Sequence, residues 1–107
     1  MIYAVEMSEK SQNDLKEIIE YISFQLEMPL AAKKLYSEIK NCINSLSQMP
    51  ERYKEYDKEK YKSYNLRMVS VNNYCVFYTV DNKNHTVYIV NIFYGKMDLE
   101  KHITIEQ

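Results

Sequence analysis

The stretch Tyr74–Tyr94, YCVFYTVDNKNHTVYIVNIFY, decides the fold of this chain. Two runs rich in β-branched and aromatic side chains, Tyr74–Asp81 and Thr86–Tyr94, flank Asp81-Asn82-Lys83-Asn84, a cluster that favours a turn. Just upstream, Leu66–Val71 reads as another strand, and the intervening Asn72-Asn73 tolerates positive φ and suits a two-residue hairpin. The three strands form an antiparallel meander. Strict alternation puts Val76, Tyr78 and Val80 on one face and Phe77 on the other, and sets Tyr88, Val90 and Ile92 against Val87, Ile89 and Phe93. Both faces of the sheet are therefore apolar.

Working outward, residues 2–6 form a short β-prone run, the first strand. Ser8 or Ser11 is placed to cap the helix that follows, and Leu15, Ile18, Ile19, Ile22 and Leu26 recur at helical spacing, which predicts an amphipathic helix over about 9–27. Met28-Pro29 interrupts the pattern, and Pro29 suits the first turn of a new helix because its missing N–H is not needed there. Ala32, Leu35, Ile39, Ile43 and Leu46 then continue at the same spacing up to Pro50. Helices joined this closely fold back as a hairpin and need a sheet to bury their apolar stripes. Residues 51–63, ERYKEYDKEKYKS, read as a solvated connection in which Lys54, Lys58, Lys60 and Lys62 are offset by Glu55, Asp57 and Glu59.

The predicted fold is α+β, in the order β-α-α-β-β-β, with the helices on one face of the sheet, a short C-terminal tail, and one domain over 1–107. A helical hairpin covers one face only. The other is expected to be a partly exposed apolar trough that a protein partner crosses, unless Asp98–Gln107 folds back over it as a lid.

Charge narrows the partners. The net charge is -1, and Arg52 and Arg67 are the only arginines among fourteen basic side chains, so the field that would draw the chain to a polyanion is weak. Cys42 and Cys75 lie in apolar periodic segments without metal-ligand spacing and are expected to be buried thiols in a reducing compartment. His85 and His102 likewise lack ligand spacing, and no metal or cofactor is expected. The N-terminus has no basic region followed by an apolar stretch, and no apolar run approaches the roughly 18 residues of a membrane span, so a cytoplasmic protein without membrane association is expected. Gly95, the one glycine, follows the last strand where the chain turns without a Cβ in the way, and presents Tyr94 and Lys96 at the sheet edge.

Several features together resemble the RelE/ParE superfamily of type II toxin–antitoxin toxins. They are Ser8-x5-Asp14-Leu15-x2-Ile18-x2-Tyr21, Pro29-x-Ala31-Ala32, Leu46-x3-Pro50, Leu66-Arg67, Asn73-Tyr74-x-Val76-Phe77-Tyr78 and Gly95-Lys96-Met97-Asp98. The resemblance spans about residues 2–103. It implies a small toxin, active in growth inhibition and plasmid stabilization, held inactive by a cognate antitoxin in a hetero-oligomer, with a homodimer as a further possibility. It also implies two activities: RelE-like members are ribosome-dependent mRNA endonucleases (mRNA interferases), whereas ParE-like members inhibit DNA gyrase by binding and cleave nothing.

Cleaving RNA through its 2′-hydroxyl needs a base, an acid and cations on the phosphate. RelE-like nucleases usually carry arginines where this chain has Cys75 and Met97, and often a histidine where it has Tyr94. Only Arg67, Tyr94 and Lys96 remain as a nuclease set. Gly95-Lys96-Met97-Asp98 followed by Glu100-Lys101-His102 instead resembles the ParE-like ending. The resemblance thus favours a non-enzymatic gyrase inhibitor whose target- or antitoxin-binding surface includes Arg67, Val69, Val71, Tyr94, Lys96, Met97 and Asp98. The alternatives are the ribosome-dependent nuclease, with ribosome and mRNA as partners, and a non-toxic member that serves only as an antitoxin partner.

Overall fold

A computed structural model of the protein describes residues 1–56 and 65–95. Strand β1 (Ala4–Met7) leads into helix α1 (Glu9–Glu20), and α2 (Pro29–Ser45) runs back beside it. Strands β2 (Arg67–Val71), β3 (Tyr74–Asp81) and β4 (Thr86–Tyr94) follow. The sheet order is β1-β4-β3-β2. The meander is antiparallel as expected, but β1 adds to β4 in parallel, with Ala4 opposite Thr86 and Met7 opposite Ile89, so the sheet is mixed. A parallel neighbour requires a crossover, and the helical hairpin with the three-strand return provides it. No helix among the described residues is long and apolar enough to cross a membrane.

The α2 stripe is buried as the spacing predicts: Ala32, Leu35, Ile39, Ile43 and Leu46 are all in the core. The first helix differs. Its α-helical part stops at Glu20, and Tyr21–Gln25 form a single π turn, closed by the Leu26 N–H donating to the Tyr21 carbonyl at 3.1 Å. The wider turn inserts a residue into the helical period, so Leu26 no longer stacks on Ile22. Leu26 is accordingly 47% exposed although the spacing had placed it on the core face.

A second irregularity corrects the strand alternation. Tyr78 pairs with Ile89 and Phe77 with Asn91, so Val90 is an extra residue in β4, a bulge that reverses the facing of every later side chain. Val87, Ile89 and Ile92 therefore pack together under the helices with Val76 and Tyr78, while Phe93 joins Phe77 and Cys75 on the opposite face. Helix α1 secures the bulge. The Ser8 side chain accepts from the Ser11 N–H as N-cap at 3.0 Å and donates to the Val90 carbonyl at 3.0 Å. The Asp14 carboxylate accepts the Ile92 N–H at 3.0 Å, and Lys10 pairs with the same carboxylate.

The opposite face is more closed than the partly exposed trough expected from the sequence, with Met68, Val90 and Tyr88 partly exposed beside its buried centre. Leu66, Cys75, Phe77 and Phe93 are all buried, with Tyr56 edge-on to Phe77 at 5.2 Å, whereas Tyr88 is 40% exposed. The cover comes partly from the connection after α2. Its described end does not stand away in solvent: the Tyr56 N–H donates to the Leu66 carbonyl at 2.6 Å, and Glu55 forms a bridge with Arg67. The expected lid, Asp98–Gln107, lies outside the described residues, as do residues 57–64 of the connection.

Both cysteines are free thiols, Cys75 buried and Cys42 half-buried. Burial pushes both thiols up, partly offset at Cys42 by Arg52 and at Cys75 by a hydrogen bond from Ser70, which leaves them weak nucleophiles. Tyr78 is buried at the centre of the sheet, where its hydroxyl donates to the Pro50 carbonyl at 2.6 Å and ties the end of α2 to β3.

Candidate functional site

The sheet has two ends, and the residues singled out in the sequence divide between them. Arg67 opens β2 level with Tyr78, whereas Tyr94 closes β4 level with Tyr74. Tyr74 and Tyr78 are four positions apart on β3, a separation of about 13 Å along the strand. Arg67 and Tyr94 are not brought together.

Arg67 is held by its own chain. Its guanidinium donates to the Tyr53 carbonyl at 2.7 Å and the Glu51 carbonyl at 3.2 Å, and forms ion pairs with Glu51 at 3.4 Å and Glu55 at 3.5 Å. The side chain is 15% exposed. It clasps the segment after α2 onto the edge of β2, and in doing so helps keep Tyr56 over Phe77. Val69 is buried, and Val71 packs at the edge of the same core, both under the helices. Lys96, Met97 and Asp98 lie outside the described residues.

At the other end the chain is drawn tight. The Asn72-Asn73 turn has φ of 46° and 70°, as the sequence predicts, and Asn72 donates to Glu38 of α2. Gly95 donates its N–H to the Asn73 carbonyl at 2.6 Å. A Cβ on Gly95 would lie 3.0 Å from that carbonyl oxygen and 3.4 Å from the Cys75 sulfur, so close backbone approach explains the lone glycine. Its φ is not positive.

Tyr94 then lines an open cleft of about 710 Å³ between α1 with its π turn and the ends of β3 and β4. Tyr74 meets Tyr94 edge-on at 5.4 Å, and Tyr21 and Leu26 from the π turn form the far wall. Sequence reasoning missed this cleft because the helical period alone does not reveal a π turn. The signal available was a tyrosine in each of the three elements that meet there. Among the described residues no group of three or more His, Cys, Asp or Glu side chains is placed to hold a metal ion.

An N-terminal strand, a helical hairpin and a mixed four-stranded sheet define a small α+β class. The fold is similar to that of a chain in the chromosomal ParDE system from P. aeruginosa, at 17% identity and a TM-score of 0.70 over 87% of this chain and 96% of that one. It is also similar to a chain of the RelBE2 toxin–antitoxin complex from Mycobacterium tuberculosis, at 17% identity and a TM-score of 0.64 over 88% and 99%. A mutant of E. coli RelE in the free state follows at 13% identity and a TM-score of 0.61 over 96% and 94%. No curated protein sequence matches the chain closely. The family model described as the ParE toxin of the type II toxin–antitoxin system parDE matches residues 5–99, and the chain belongs to that family.

Proposed function

We propose that this protein is a toxin that acts by binding DNA gyrase, without cleaving RNA, and that a cognate antitoxin neutralises it. Membership of the ParE family supports the toxin role, and the neighbouring ParDE and RelBE systems pair such a fold with an antitoxin. The observation that carries binding over cleavage is the position of Arg67. It is paired with Glu51 and Glu55 at the end of the sheet remote from Tyr94, so it cannot share a phosphate with Tyr94. The target surface in this reading is the Tyr94 end of the sheet, continued by Lys96, Met97 and Asp98.

The test is a supercoiling assay with purified gyrase and relaxed plasmid. Added toxin is expected to inhibit supercoiling, and Tyr94→Ala to weaken that inhibition about 10-fold, as loss of an interface aromatic does. Translated transcripts should remain intact by primer extension. Unimpaired gyrase together with discrete breaks in translated mRNA would reverse the reading. Co-expression of the cognate antitoxin should restore growth.

A further inference from the structure

The cleft beside Tyr94 has a chemical character of its own. Tyr21, Tyr74 and Tyr94 surround it, with Ile18 and Leu26 as apolar walls and Glu17 on the rim. The Tyr74 and Tyr94 rings meet edge-on at 5.4 Å, Tyr21 lines the same cleft, and burial first, then Tyr94 and Tyr21, raise the Tyr74 phenol above its ordinary value. Aromatic faces carry negative potential and attract a cation within about 6 Å of the ring centre. The cation already present, Lys10, is paired with Asp14, and the Asp14 carboxylate is itself engaged by the Ile92 N–H. Glu17 is exposed and has no such counter-charge among the described residues. Among the described residues that line the cleft, the unbalanced charge is therefore negative.

A cation that suits aromatic faces, one carboxylate and apolar walls at once is a guanidinium, which is weakly hydrated, stacks on rings and pairs with a carboxylate in a fork. We propose that this cleft docks an arginine flanked by apolar residues, carried on a segment of a protein partner. The proposal rests on the toxin reading only in taking the partner to be a protein. The cleft adjoins Tyr94, so the docked segment would lie against the surface assigned above to the target.

The test uses the full chain and two probes, acetyl-Leu-Arg-Leu-amide and its glutamine counterpart, followed through the tyrosine ring resonances by NMR. The arginine peptide is expected to shift Tyr21, Tyr74 and Tyr94 together with a millimolar Kd, and the glutamine peptide to bind at least about 5-fold more weakly. Glu17→Gln should weaken the arginine peptide about 3-fold, the scale of an exposed ion pair, while leaving the amide fingerprint of the fold unchanged. Tyr21→Leu, at an exposed position, should weaken it further. Equal binding of the two peptides, or no ring shifts up to about 10 mM, would overturn the proposal. The titration contains no gyrase, so its failure alongside intact supercoiling inhibition removes this proposal alone.

Discussion

At the scale of single residues, a few side chains answer backbone groups that the fold would otherwise leave buried and unpaired. Asp14 receives the Ile92 N–H beside the β4 bulge. Asp14→Ala is expected to destabilise the protein by about 2 kcal/mol, since a buried donor loses a charged acceptor, and the shift in urea midpoint measures it. Gly95→Ala drives a Cβ against the Asn73 carbonyl at 3.0 Å and should cost about 1 kcal/mol, readable as a lowered Tm. Tyr78 gives a pH signature. Burial pushes its phenol up from 10.0 to about 12, opposed in part by Arg67 and Arg52. The folded state thus holds this proton more tightly than the unfolded chain. Its contribution is fully present below pH 10 and is lost as the pH rises to about 12. Tyr78→Phe should flatten that part of the stability profile while costing about 1 kcal/mol at neutral pH for the bond to the Pro50 carbonyl.

At the scale of elements, the helices and strands follow their apolar periods until one extra residue intervenes. The α2 period runs unbroken, and each of its five apolar positions is buried. In α1 the π turn moves Leu26 off the core, and in β4 Val90 reverses the strand, so a pattern read with a fixed period fails from those points onward. The two defects serve different ends. The bulge exposes a carbonyl that Ser8 engages while capping α1, so one side chain joins a helix start to a strand. Ser8→Ala should remove both bonds and cost about 2 kcal/mol, more than the ~1 kcal/mol typical of a cap alone, as equilibrium denaturation would show. The π turn brings Tyr21 and Leu26 to the wall of the cleft.

At the scale of the whole molecule, the apolar second face is buried in its centre by the chain's own residues, so the case for a partner rests on the family and on the Tyr94 end of the sheet, not on a bare sheet. The Arg67 clasp belongs to this scale because it joins residues far apart in sequence. Arg67→Ala should loosen the segment that carries Tyr56, seen as about 10-fold faster hydrogen exchange at the Tyr56 N–H, while growth inhibition persists. By itself the sequence determined the α+β class, the order of elements, the α2 core stripe, the Asn72-Asn73 hairpin and the likeness to the RelE/ParE superfamily. These follow from local chemistry, because period, turn residues and proline position act within a few neighbours. Only the tertiary structure decided that β1 runs parallel to β4, that Arg67 faces Glu51 and Glu55, that the centre of the second face is buried, and that three tyrosines from separate elements line one cleft. Those facts depend on pairings between distant segments and on two single-residue insertions, whose energies are set by the partner across the gap and leave no periodic trace in the chain.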